Sequence, residues 1–321
     1  MDYVTYGKTG LKVSVAGLGC GGNSRLGQEQ GKSEDESVAI IRRAMDLGVN
    51  LIDTAANYRT EGIVGKALVG VPRDQVVVAT KAGLRRGGEP ATVDDVIASL
   101  DNSLRELQTD FVDIFQLHAV PPGRYDEIMN DMVPALLREK EKGKFRHLGL
   151  TETSPRDHDH DTMKRVVEDD VWESVMLGFH MMHQNAREVV FPGTIKKGIG
   201  TLLMFVVRNI FSQPEYLSDT VKQLIEDGEL SADEVDADDP LGFLVHEGGA
   251  TSMMDAAYRF VRHEPGVDVV LFGTGNPAHV DLNVASILKP PLPKEDHDRL
   301  VKLFGGLVGV GLDLPDRHGR A

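Results

Sequence analysis

The chain has 321 residues, of which 41% are hydrophobic, 26% charged and 6% aromatic. That composition supplies a sizeable core and excludes a wholly disordered or fibrous chain. Thirty-five Lys and Arg against 50 Asp and Glu leave a net charge of −15, and so acidic a surface repels phosphate backbones and anionic lipid, which argues against a nucleic-acid or membrane partner. Cys20 is the only cysteine, so an intrachain disulfide or a multi-cysteine metal site is impossible. The opening Met1–Gly7 lacks the basic and apolar regions of a signal peptide, and the densest apolar run, Leu202–Val207, is too short to span a bilayer. The expectation is a reduced, cytoplasmic protein.

Tyr3–Tyr6 and Leu11–Val15 flank a Gly-rich turn and read as a β-hairpin. A pattern of short apolar run, polar loop and longer amphipathic stretch then recurs. The predicted strands are Val15–Gly19, Val49–Ile52, Gln75–Thr80, Val112–Leu117, Phe145–Leu150, Ser174–Gly178, Thr201–Val207 and Val267–Phe272. Helices follow them at Ser33–Leu47, Glu61–Leu68, Thr92–Leu107, Tyr125–Lys142, Pro155–Glu168, Asn185–Lys197, Ala250–His263 and Pro277–Leu288. Ser33 with Glu36 three residues on forms a capping-box pattern for the first of these. Eight strand–helix pairs are the number that closes a (β/α)8 TIM barrel, so the fold class is α/β. One domain over 1–321 accounts for the chain: an N-terminal hairpin (1–14), a barrel, an insertion loop after the seventh strand (208–249) and a C-terminal helical tail (290–321). The insertion carries a predicted helix, Pro214–Asp227, and an acidic run, Asp233–Asp239, read as a solvated loop.

Gly17-Leu18-Gly19-Cys20-Gly21-Gly22 satisfies G-x-G-x-x-G after a strand, but a dinucleotide fingerprint would enter its helix at once. The polar stretch Asn23–Lys32 intervenes, so the motif reads as a Gly-rich loop at the barrel mouth, with Gly21 and Gly22 placed for close backbone approach to a ligand.

Residues at the C-terminal ends of barrel strands face the active site. Here three consecutive strands run into Asp53, Lys81 and His118, and Tyr58 sits in the loop after the first of them. An acid, a base, a phenol and an imidazole thus meet at one rim. A phenol of pKa near ~10 is a poor proton donor at neutral pH. An ammonium ~4 Å away supplies ~4 kcal/mol at an effective dielectric of about 20, lowering the phenol by at most about three pKa units. Lys81 is expected to do this for Tyr58, with Asp53 keeping Lys81 charged and His118 orienting a substrate oxygen. The set moves a proton at a carbonyl or alcohol oxygen. It offers no metal triad and no nucleophilic Ser or Cys, and proton transfer alone does not reduce a carbonyl, so a hydride carrier is implied.

The segment Leu51-Ile52-Asp53-Thr54-Ala55-Ala56-Asn57-Tyr58, with Glu61, Gly65 and Ala67-Leu68 after it, resembles the aldo-keto reductase signature. So do Ala79-Thr80-Lys81, Ser103–Leu107 with Asp110, Asp113–His118 and Gly143–Gly149, and the likeness runs over about residues 3–290. It implies a (β/α)8 fold, nicotinamide dinucleotide binding without a Rossmann domain, and the tetrad Asp53, Tyr58, Lys81 and His118. Around the nicotinamide the family usually places Ser-Asn, Gln and an aromatic; Thr151-Glu152, Met176 and Met204 stand here, with Phe205 beside Met204. Thr151 keeps the serine's hydroxyl, whereas Glu152 accepts but cannot donate a hydrogen bond. The resemblance puts the adenosine phosphate end at Gly273-Thr274-Gly275, Asn283 on the adenine and Arg208 nearest the pyrophosphate. NADP is the family's usual cofactor. Gly273 and His279 stand where basic residues often select its 2′-phosphate, so NAD is a contender.

The run Arg156-Asp157-His158-Asp159-His160-Asp161 reads as a solvated helix entry rather than a metal site. His180-Met181-Met182-His183 is a candidate pocket wall, and Lys302–Val310 a cover for the barrel mouth or a partner surface. Arg85, Arg86, Arg124 and His183 hint at a hydroxylated or sugar-like substrate. The reading is an NAD(P)-dependent oxidoreductase acting on a small carbonyl, alcohol or sugar. The alternative is a barrel that binds NADP(H) as a sensor with little turnover. Nothing in the sequence speaks to oligomeric state.

Overall fold

The computed structural model describes residues 1–312; the last part of the expected tail, 313–321, lies outside the described residues. A hairpin of β1 (Tyr3–Thr5) and β2 (Lys12–Ser14) precedes the strands β3 (Ala16–Gly19), β4 (Leu51–Asp53) and β5 (Val77–Gly83). A small hairpin, β6 (Arg85–Arg86) and β7 (Glu89–Pro90), then leads to β8 (Val112–Val120), β9 (Phe145–Glu152), β10 (Ser174–Gly178), β11 (Gly200–Met204) and β12 (Val269–Phe272). Strands β3, β4, β5 and β8 to β12 pair in chain order, all parallel, and β12 closes on β3. This is the (β/α)8 barrel that the strand count predicts.

Alternation along the strands builds two cores. Leu18, Ile52, Val78, Phe115, Leu150, Val175, Leu203 and Val270 face outward onto the helices. Leu51, Val77, Ala79, Ile114, Met176, Leu202 and Val269 fill the barrel interior. The N-terminal hairpin plugs the far end: Tyr6 is fully buried against that inner layer, its hydroxyl 2.7 Å from Ser174 Oγ. A filled interior leaves the C-terminal rim as the face open to ligand.

Several boundaries differ from the sequence expectation. Ser33 caps Glu34–Asp46 with the predicted reciprocal bonds to Glu36. Strands β5, β8 and β9 run longer, to Gly83, Val120 and Glu152, so that Lys81 and His118 lie within strands rather than just beyond them. Strand β11 ends early, because Phe205 adopts a left-handed φ of 64°. The helix expected over Pro155–Glu168 is only Asp161–Val166; the Asp157 carboxylate caps it by accepting from the N–H groups of Asp161 and Thr162. Asn185–Lys197 splits into Ala186–Val189 and Phe191–Lys197 at Val190, before Pro192. The acidic side chains of the run are exposed, while Val235, buried, and Ala237, half-buried, anchor it to the core. Among the described residues no helix is long and apolar enough to cross a membrane.

Candidate active site

Asp53 is the last residue of β4, and the chain beyond it turns sharply. A single helical turn, Ala56–Tyr58, is closed by the Tyr58 N–H on the Ala55 carbonyl and ended by Arg59 at φ 60°. The hydroxyls of Thr54 and Thr60, 2.9 Å apart, tie the two ends of this loop together. The turn lays the Tyr58 ring over Gly21, where a Cβ would lie 2.5 Å from the ring. Gly21 therefore makes room for the phenol, a requirement nearer to hand than the ligand approach expected of it; Gly22, at φ 70°, continues the bend.

The four predicted rim residues converge. Lys81 is fully buried, and its Nζ donates to both Asp53 oxygens at 2.7 Å and to the Thr54 carbonyl at 2.8 Å. The same ammonium stands 5.0 Å from the centre of the Tyr58 ring. Tyr58 Oη is 3.4 Å from His118 Nε2, and the two rings meet edge to face. Burial works to discharge Lys81, but the Asp53 carboxylate outweighs it and holds the ammonium above its usual range.

One expectation is corrected. Tyr58 is raised rather than lowered: burial dominates, and the pull of Lys81 is partly cancelled by Asp53. A lysine locked to a carboxylate acts on a nearby phenol as a dipole, weaker than the free charge assumed from the sequence. His118 is lowered to about 3, first by burial and then by Lys81, so its imidazole is neutral at physiological pH.

The strand carrying His118 is irregular. The pairing of β8 with β9 slips between Leu117 and Val120, and Ala119 takes a left-handed φ of 56°. The Ala119 N–H is received by Thr151 Oγ1 at 2.7 Å, and the Val120 carbonyl accepts from Thr162 Oγ1 at 3.1 Å.

Other predicted positions fall out differently. The Glu152 side chain is sealed from solvent, with Oε2 receiving His160 Nδ1 at 2.7 Å and Oε1 receiving the Gly178 N–H at 2.8 Å and the Ser154 hydroxyl. It braces the wall between β9 and β10 rather than presenting an open acceptor. Met176 belongs to the barrel interior, with Met204 packed at its edge. Phe205 is half-buried, its ring against Gly178 and under the Arg208 guanidinium at 4.4 Å. A bulky residue at positive φ is the kind of strain that collects at functional sites.

At the other end of the rim, Asn276 caps the helix Pro277–Ile287 by accepting the Ala278 N–H. Thr274 is buried and its hydroxyl receives the Asn276 N–H, while Gly275 packs against Gly27. Among the described residues the N–H groups of Thr274 and Gly275 donate to no protein acceptor, which leaves two donors at a helix start and fits an anionic group there. His279 is exposed and Asn283 half-exposed on this helix.

Sequence reasoning missed a cluster of buried imidazoles. His160, in the run read as solvated, is fully buried between Glu152 and Asn185, and its ring lies 5.0 Å from that of His183. His183 is sealed too, and its Nδ1 accepts the N–H of Gly309 from the tail, so it lines no open pocket. The alternation of Asp and His was the available signal, hidden because Asp157 and His160 turn inward while His158 and Asp159 face solvent. Of the arginines thought to meet substrate, Arg86 pairs with Asp95, Arg124 with Glu127, and Arg85 donates to the Gly88 carbonyl. Among the described residues no group of three or more His, Cys, Asp or Glu is placed to hold a metal ion.

Comparison with known proteins bears on the family and the fold. The model of the aldo/keto reductase family matches residues 17–304. A curated L-galactose dehydrogenase from Arabidopsis thaliana is 41% identical over 151 residues, 45% of this chain and 46% of that one, so the match spans less than half the relative's length. The aldo-keto reductase YhdN of Bacillus subtilis is 28% identical over 88% of this chain and 87% of its own. Among solved structures, the holo form of aldo-keto reductase AKR11C1 from Bacillus halodurans superposes with a TM-score of 0.72 over 95% of this chain and 96% of that one, at 24% identity.

Proposed function

The chain belongs to the aldo/keto reductase family of oxidoreductases, and we propose that it transfers a hydride between a nicotinamide dinucleotide and the carbonyl or alcohol carbon of a small substrate, with Tyr58 as the acid and base. The observation that carries this is the Tyr58 hydroxyl, 3.4 Å from a neutral imidazole and beside a buried ammonium.

When bound, the dinucleotide supplies or receives the hydride. The donor set fits it: the two N–H groups at Thr274 and Gly275 suit its phosphates, and Phe205 offers an aromatic face beside Gly178. Thr151 keeps a hydroxyl at the end of β9, whereas the sealed Glu152 acts by bracing the wall. For the chemistry, only one of the two candidate acids holds a proton it can give up to substrate at neutral pH. His118, at about 3, is unprotonated at neutral pH, while Tyr58, above its usual value, holds its proton. Tyr58 therefore donates to the carbonyl oxygen in reduction, and the Lys81 ammonium stabilises the phenolate that forms. His118, in the tautomer with hydrogen on Nε2, donates to the same oxygen and aligns it.

The substrate we propose is a sugar or polyol, supported by the relative described as an L-galactose dehydrogenase. The test is a fluorescence titration with NADPH and NADH, followed by a screen of carbonyls, sugars and sugar alcohols. Both nucleotides are needed because Gly273 and His279 occupy positions that commonly hold the 2′-phosphate. Tight nucleotide binding with no turnover across the screen would replace the enzyme with a cofactor-sensing barrel.

A further inference from the structure

His118 does its work only if its ring is held toward Tyr58, yet the strand behind it gives up regular pairing at that point. The β8–β9 register slips between Leu117 and Val120. Ala119, immediately after His118, sits at φ 56°, in a region that an L-residue other than glycine enters only when its surroundings impose it. Two side chains take over where the ladder stops. Thr151 Oγ1, 1% exposed at residue level, receives the Ala119 N–H at 2.7 Å, and Thr162 Oγ1 donates to the Val120 carbonyl at 3.1 Å. Ala119 is exposed and Val120 fully buried in the outer core, so the kink reverses which way the chain faces directly after His118.

We propose that Thr151 is a positioning residue for His118, acting through its hydrogen bond to the Ala119 N–H. Threonine suits the task because its β-branched side chain is stiff about χ1 and sits in a packed site that fixes where Oγ1 points. Without that acceptor the Ala119 N–H is unpaired, the left-handed residue relaxes toward extended backbone, and the imidazole swings off its line to Tyr58. The proposal rests on the reading of His118 as the group that aligns the substrate oxygen, but it can be tested without turnover.

The experiment compares wild type with Thr151→Val, which keeps the shape and removes the acceptor, and Thr151→Ser, which restores it. The protein carries eleven histidines, so His118 is identified in spectra of ring-labelled, cofactor-free protein by the signal lost in His118→Gln. In Thr151→Val that signal is expected to shift or broaden, and kcat for carbonyl reduction to fall about tenfold to a hundredfold, as for a catalytic group displaced by ~1 Å. Thr151→Ser is expected to return both toward wild type. A His118 signal in Thr151→Val that coincides with wild type overturns the proposal, whatever happens to activity, since Thr151 would then act only on the bound nucleotide. Should Thr151→Val not fold, Thr151→Ala removes the same acceptor without the bulk of valine and is read the same way. Absence of reduction in wild type would defeat the proposed function and leave the spectral comparison intact.

Discussion

The hydroxyl of Tyr58 lies 3.4 Å from Nε2 of His118, with the ring planes at 86° and the centroids 5.4 Å apart. That separation is too long for a strong hydrogen bond between the two. It suits a site in which each group makes its better bond to a third atom, the substrate oxygen. Tyr58→Phe removes the only proton donor of the pair that is protonated at neutral pH. It is expected to lower kcat by about 10²–10⁴ while leaving the nucleotide dissociation constant unchanged. Single-turnover reduction beside a nucleotide titration checks this, and turnover at the wild-type rate would remove Tyr58 from the mechanism.

The same two groups set the pH dependence. His118 loses its proton at about 3 and Tyr58 keeps its own past its ordinary value near 10. Between about pH 5 and 9 neither changes state, so kcat for reduction is expected to be flat there. Oxidation needs the phenolate, whose fraction grows about tenfold per pH unit below the pKa. Oxidation of an alcohol substrate should therefore climb steadily with pH through this window. A bell centred near pH 7 in the reductive direction would show that an imidazole is supplying the proton.

Lys81 and Asp53 are mutually dependent. Each is almost completely buried, and the carboxylate receives two of the ammonium's three bonds. Asp53→Asn leaves a buried ammonium without its counter-charge and is expected to cost about 3–5 kcal/mol of stability. Lys81→Met strands the carboxylate at a similar cost. The double variant removes both charges and should be more stable than either single one, though inactive. Denaturant unfolding of the four proteins measures this; additive losses would mean the two charges do not act as a pair.

The barrel was legible because eight apolar runs alternate with eight amphipathic ones, and Asp53, Lys81 and His118 were legible because each ends such a run. What escaped depends on contacts between loops that have no periodicity. The φ of Phe205 ended β11 before its apolar run did. The capping carboxylate of Asp157 delayed a helix that polar composition placed earlier. The direction of the shift at Tyr58 escaped because it is a balance of burial against a paired lysine, and a sequence reveals the charge but not the solvent it displaces. Glu152 looked like an altered cofactor ligand; only the fold shows His160, eight residues on, taking one of its oxygens.

The buried imidazoles predict a stability maximum in pH. His160 is raised: burial opposes its charge, but Glu152 more than compensates, with Asn185 and Asp157 adding to it. Its stabilising contribution is complete below the unfolded value of about 6.5 and fades as pH rises through the higher folded value. His183 and His180 are lowered to about 2 and about 3, chiefly by burial, with His180, His160 and His158 facing the first and Arg208 the second. The native state refuses their protons while the unfolded chain accepts them, so each subtracts up to about 1.4 kcal/mol per pH unit as pH falls below about 6.5. Protonation of His183 Nδ1 would also remove the acceptor for Gly309 and loosen the tail. Thermal unfolding is expected to peak near pH 6.5, with His183→Gln flattening the acid limb between about pH 6.5 and 5, above the ordinary carboxylate range, and His160→Gln flattening the alkaline limb. An acid limb equally steep in His183→Gln would mean that the tail and its histidine take no part in it.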